Sequence, residues 1–209
     1  MMILALDTPH YSQQNLTYGS ILSAISLVRG YSVQNFESLF YHVSHRYPAD
    51  LFTRAKIEAI LDWHHSNLRR GAATFVLNTV LAPYLGLPSS HEAAKQAEKL
   101  LLKSLTRIES IWLKGDAKFL MGNPQPSIAD LSLVCEIMQL EILGDSARDR
   151  ILGPYEKISS WIQNVKKATS PHFEEVHELL FKVKAHNSAV AAAKLGSELS
   201  KDLKTASKL

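Results

Sequence analysis

The segment PSIADLSLVCEIMQL, residues 126–140, constrains the fold more than any other part of the chain. Ile128, Leu131, Leu133, Val134, Ile137, Met138 and Leu140 would put apolar side chains on nearly every side of a helix. A helix that is apolar all round must be wrapped by other elements, so it runs through the middle of a domain. Its start is also marked. Ser127 followed three residues later by Asp130 is a capping-box spacing, in which the serine oxygen accepts from a helical amide and the carboxylate reaches back. The partly buried Asp130 therefore has a folding role before any catalytic one.

The surrounding sequence supplies the wrapping. Between Tyr47 and Lys184 the apolar period is helical, with no alternating strand pattern. A first long helix is expected after Pro48, with Ile57, Leu61, His64 and Leu68 along one face, weakened or bent at Gly71. Helicity resumes through Phe75, Val76, Val80 and Tyr84 before the loop APYLGLPSS. Ala97, Leu101, Leu105, Ile108 and Trp112 form the next stripe, opposite the solvated face of Lys95, Glu98, Lys99 and Lys103. Two shorter helices follow, one on Tyr155, Ile158, Ile162 and Val165, the other on Phe173, Val176, Leu180 and Val183. Ser170 and Pro171 suit the start of the latter.

The fold class is therefore all-α over residues 47–184, preceded by a divergent segment, 1–46, of weak periodicity. Residues 185–209 read as a flexible basic tail, poor in apolar residues, and from Lys182 onward six lysines face only Glu198 and Asp202. The net charge of +3 gives no reason to expect a nucleic-acid partner. No stretch approaches the roughly 18 consecutive apolar residues of a membrane span. The single cysteine, Cys135, excludes an intramolecular disulfide. It lies in the most apolar helix with no cationic neighbour in sequence, which fits a buried structural thiol.

No metal site is expected. His64 and His65 are adjacent, so their rings point about 100° apart on a helix; with Asp62 they read as packing and interface residues. His172 and His177 in HFEEVHE are five residues apart, whereas a helical metal pair needs four.

The runs RYPADLFTRAKIEAILDWHHSNLRRG, NPQPSIADLSLVCEIMQLEIL and SPHFEEVHELLFKVK resemble the C-terminal helical domain of plant theta-class glutathione transferases. The Ser127, Ala129, Asp130 cap is typical of that superfamily. The resemblance implies a helical bundle that supplies most of the pocket for an electrophile, next to a thioredoxin-like domain that holds glutathione. It implies conjugation of glutathione to hydrophobic electrophiles or reduction of organic hydroperoxides, with glutathione as co-substrate and no cofactor. The expected partners are these substrates and a second copy, or a full-length relative, in a dimer.

By the same resemblance Ser12 is the candidate catalytic serine that holds the glutathione sulfur as thiolate. Glu37 and Ser38, in FES, match the pair that binds the γ-glutamyl end. Arg69 and Leu77 align with positions that face the cleft, Arg69 toward glutathione or substrate and Leu77 in the electrophile pocket. Arg69 has two readings: a charge-assisted contact to an anionic group, or a solvated arginine at a helix end.

Against a complete site, residues 1–46 are too few for a whole thioredoxin-like domain. No proline occurs between Pro9 and Pro48 to supply the family's cis-proline. The sequence therefore supports an alternative, a catalytically impaired helical module for ligand binding or dimerisation. The last three residues, Ser207, Lys208 and Leu209, form a peroxisomal targeting tripeptide, which implies the import receptor as a partner. The expected location is the peroxisome, with the cytoplasm as a second site.

Overall fold

The computed structural model describes Pro48 and residues 50–206, with side chains through Val190. Seven helices of eight or more residues occur among the described residues, and no strand does. The all-α expectation holds.

Helix α1, Leu51–Ser66, begins where Asp50 accepts the amide of Thr53 at 2.8 Å through Oδ2. It stops at Asn67, whose backbone is non-helical and whose side chain donates to the Trp63 carbonyl at 3.0 Å. The buried face is Ile57, Ile60 and His64, while Leu61 is half-buried. Helix α2, Leu68–Val76, follows at once, so the break lies at Asn67 and not at the expected Gly71.

Gly71 has another use. A Cβ there would sit 2.7 Å from the Leu101 backbone nitrogen and 2.9 Å from its Cα, closer than side-chain atoms tolerate. The missing side chain lets α2 lie directly on α3, His91–Arg107. The glycine therefore sets a helix crossing, and its lower helix propensity is the cost of close approach.

Beyond α2 the helix widens into a π-turn, Leu77–Leu81. Side chains serve carbonyls there: Asn78 Nδ2 donates to Thr74 at 2.9 Å and Thr79 Oγ1 to Phe75 at 2.7 Å. Asn78 also accepts the amide of Ser90, the N-cap of α3, at 2.9 Å. The loop between α2 and α3 is thus pinned at both ends.

Helix α4, Ile128–Met138, is the central one, in contact with α1, α2 and α6, Glu156–Thr169. Ile128, Leu131, Leu133, Val134, Ile137 and Met138 are all buried on it, as their all-round distribution requires. A 3-10 turn, Gln139–Leu143, leads to α5, Asp145–Leu152. The N-terminus of α6 has no cap from its own N-cap residue, Tyr155. Glu109, in a second π-turn, Ile108–Trp112, at the end of α3, fills the role, accepting the amides of Lys157 at 3.0 Å and Ile158 at 2.9 Å.

Helix α7, His172–Ala206, runs past the expected boundary at Lys184. Its buried face is Phe173, His177, Leu180 and Val183; Val176, expected inside, is 39% exposed. Lys184 binds Glu141 at 2.6 Å and Asp145 at 2.7 Å, and Arg148 binds Glu141 at 3.0 Å. These contacts fasten α7 to the 3-10 turn and to α5. Beyond Lys184 the helix is a backbone continuation, since the sequence there offers little to bury.

Candidate functional site

Of the residues expected to bind glutathione, Ser12, Glu37 and Ser38 lie outside the described residues, as do Ser207, Lys208 and Leu209. Arg69 and Leu77 lie within them. Arg69 is in the first turn of α2 and Leu77 at its end, eight positions on. With Ala73 between them they form a stripe at i, i+4 and i+8, about 12 Å long at 1.5 Å per residue. This stripe is the more open side of α2: Arg69 and Ala73 are half-buried and Leu77 is 45% exposed, while Leu68, Ala72, Phe75 and Val76 are buried. A cation therefore stands at one end of an accessible apolar strip.

Behind Arg69 is a buried polar cluster with no local signature in the sequence. Glu136, on central helix α4, is buried, and its Oε2 lies 3.1 Å from His64 Nε2 of α1. With Glu136 Oε2 as the acceptor, His64 Nε2 is the donor of this contact. Gln139 Nε2 donates to Glu136 Oε1 at 2.5 Å and to its backbone carbonyl at 2.9 Å. Arg69 Nε stands 4.0 Å from the same Oε2. Taking a carboxylate out of water costs several kcal/mol unless partners offset it, and these three provide that offset.

Asp130 is a second buried carboxylate with a different duty. It closes the capping box with Ser127, accepting the Ser127 amide and hydroxyl on Oδ2, each at 2.7 Å. Its Oδ1 accepts the amide of Leu120 and the indole of Trp161, each at 2.8 Å. Burial pushes the carboxyl above its ordinary value despite these four donors. Every donor is a structural group of this chain, so Asp130 joins three segments and offers no acceptor to a substrate.

The remaining chemical candidates form no shared site among the described residues. Burial and the neighbouring Glu136 charge push the Cys135 thiol up to about 12, so it holds its proton at neutral pH and is no nucleophile. His177 is buried against the Phe173 ring, with its Nδ1 donating to the Phe173 carbonyl at 2.7 Å. His172 is exposed beside Glu175, and His65 and Asp62 are exposed. No group of three metal-capable side chains occurs among the described residues, and no described helix is long and apolar enough to cross a membrane.

The arrangement, a helical bundle wrapped around one buried helix, is that of a glutathione-transferase C-terminal domain. The apo form of human glutathione S-transferase T1-1 superposes with a TM-score of 0.58 at 30% identity, covering 68% of this chain and 58% of that one. Human glutathione transferase theta-2, in a complex with glutathione and an unknown ligand, superposes at 0.61 over 74% of this chain and 62% of that one. At 24% identity the latter supports the fold alone. No protein-family model matches the sequence.

Sequence comparison narrows the class. The chain is 64% identical over 140 residues to glutathione S-transferase T1 of Arabidopsis thaliana, covering 67% of this chain and 57% of that protein. It is 59% identical over 142 residues to glutathione S-transferase T3 of the same plant, covering 68% of this chain and 24% of that protein. The match to human glutathione S-transferase theta-1 is 32% over 140 residues, 66% of this chain and 56% of that protein. The matched region belongs to the plant theta-class glutathione transferase family and corresponds to its C-terminal helical part. The chain spans less than two thirds of the length of each of these relatives.

Proposed function

We propose that this chain acts as a theta-class glutathione transferase, joining glutathione to hydrophobic electrophiles or using it to reduce organic hydroperoxides. The observation that carries the reading is the 64% identity to glutathione S-transferase T1 across the helical region that holds Arg69 and Leu77. Glutathione is the co-substrate, and no further cofactor takes part.

In the conjugation reaction the glutathione thiolate attacks an electrophilic carbon, a C–S bond forms, and the leaving group departs with its electron pair. With a hydroperoxide the sulfur attacks the O–O bond and an alcohol is released. A second glutathione then reduces the sulfenic intermediate, yielding the disulfide and water. On this reading Ser12 donates to the thiolate, Glu37 and Ser38 hold the γ-glutamyl end, Leu77 lines the electrophile strip and Arg69 takes an anionic group. A second copy or a full-length relative pairs through the first two helices.

The experiment is an initial-rate measurement on the full chain with glutathione and either cumene hydroperoxide or an alkyl halide. A rate above the uncatalysed background supports the proposal; none with either substrate removes the enzymatic claim.

The terminal Ser207, Lys208 and Leu209 are proposed to direct this activity to the peroxisome through the import receptor. Fusing the terminal residues to a fluorescent reporter is expected to give punctate peroxisomal signal, and a diffuse cytosolic signal rejects the address.

A further inference from the structure

Glu136 accepts from the buried His64 and Gln139 and so ties α1 to the central helix, but an uncharged acceptor could do the same. It lies in the third turn of α4, away from the cap that Ser127 and Asp130 already supply. Leu133, Ile137 and Leu140 beside it are buried apolar side chains, while Ser132 and Cys135 are half-buried. A carboxylate there is costly, and replacing a buried ionic group by a well-packed apolar one is often neutral or stabilising.

What the carboxylate does accomplish is visible in its partners. Gln139 occupies Oε1 and His64 occupies Oε2, so the group is held from both sides. Arg69 approaches the fixed Oε2 through Nε, at 4.0 Å. Among the described residues Arg69 makes no hydrogen bond, which leaves its terminal fork of Nη1 and Nη2 for another acceptor. That fork matches a carboxylate, sulfonate or phosphate in two parallel bonds.

We propose that Glu136, held by His64 and Gln139, is a positioning residue that orients the Arg69 guanidinium at the end of the Arg69–Ala73–Leu77 strip. There the fork takes the anionic group of an otherwise apolar ligand. The apolar body lies along Ala73 and Leu77. The inference rests on the transferase reading for the kind of ligand, but its test needs no glutathione, so failure of catalysis and failure of positioning are distinguishable.

A simple charge argument predicts the opposite sign. If Glu136 only neutralised Arg69, removing its charge would leave the arginine more attractive to anions. If it positions the fork, removing the charge frees the side chain, and ordering it again on binding weakens the complex.

The test compares two fluorescent probes on the full chain: anionic anilinonaphthalene sulfonate and neutral phenylnaphthylamine, which shares the rings without the sulfonate. Glu136→Gln and Arg69→Lys are each expected to weaken the sulfonate by about three- to tenfold, the scale of re-immobilising one long side chain. The neutral probe changes by less than about twofold in both, and Arg70→Gln, which removes an exposed charge one residue on, leaves both probes within the same margin.

Unchanged or tighter sulfonate binding in Glu136→Gln overturns the proposal. So does a wild-type chain that does not bind the sulfonate, or an equal loss of both probes. Should Glu136→Gln fail to fold, Arg69→Lys decides alone, because lysine keeps the charge but lacks Nε and the fork. An undiminished sulfonate affinity in that variant then overturns the inference.

Discussion

The indole Nε1 of Trp161 donates to Oδ1 of Asp130 at 2.8 Å, tying the middle of α6 to the first turn of α4. Both side chains are fully buried. The bond turns a local helix cap into a tertiary clamp, because Leu120 from the preceding loop shares the same oxygen.

Removing the clamp one part at a time should give graded losses. Trp161→Phe deletes one donor to a buried carboxyl oxygen and is expected to cost about 1–3 kcal/mol of unfolding free energy, plus any packing defect. Asp130→Ala strands four donors at once and should cost at least about 3–5 kcal/mol. Urea unfolding followed by circular dichroism gives the order: Asp130→Ala well below Trp161→Phe, and both below wild type. Equal small losses would mean that the bonds are dispensable.

Gly71→Ala tests the close crossing of α2 and α3. On an isolated helix this change would stabilise by close to 1 kcal/mol through helix propensity. Here the added Cβ meets the Leu101 backbone, which cannot rotate aside. The expected outcome is a net destabilisation of about 1–3 kcal/mol, the usual range for overpacking. A raised melting temperature would show that the two helices have room to separate.

The pH dependence of stability should carry a contribution from His177. Burial on the inner face of α7, beside Phe173, lowers its pKa below the ordinary histidine value, outweighing the hydrogen bond to Phe173 and the nearby carboxylates. The folded state thus binds the proton less readily than the unfolded chain does. The stability this group contributes is present above the unfolded pKa, near 6.5, and is lost as pH falls through the lower folded value. Melting temperature should drop between pH 7 and pH 5, with a shallower drop in His177→Leu. Parallel slopes in the two proteins would assign the acid sensitivity elsewhere.

Much of this architecture was legible in the residues, for reasons that differ from site to site. The central helix announced itself because apolar side chains on all sides permit only burial, and Ser127 and Asp130 are close enough in sequence for their cap to be read directly. The other two donors to Asp130 were not legible: they come from positions 10 and 31 residues away, with no local signature. Glu136 has no local signature for the same reason, since His64 reaches it across 72 residues.

Two local readings were overturned, one by a tertiary contact and one by contacts within its own helix. Gly71 reads as a weak point in a helix, yet its role is set by a backbone that approaches from α3. On α7, Val176 and His177 are neighbours that both fit the helical period, and hydropathy favours valine inside. The ring of His177 instead stacks on Phe173 at 4.3 Å between centroids, with its Nδ1 satisfied by a backbone carbonyl, so the polar residue is buried and Val176 faces out. The break at Asn67 depends on a single side chain turning back to Trp63.

Arg69 and Leu77 stood out only through resemblance to a family. The structure adds the half-open strip they share and the buried carboxylate behind Arg69.

The central claim, that this chain is a glutathione-dependent transferase, is tested most directly by calorimetric titration of glutathione into the full chain. A glutathione-dependent transferase gives a saturable heat that is weakened when Ser12 or Glu37 is replaced by alanine. An isotherm no different from the heat of dilution, in a preparation whose circular dichroism is that of a folded helical protein, would contradict it.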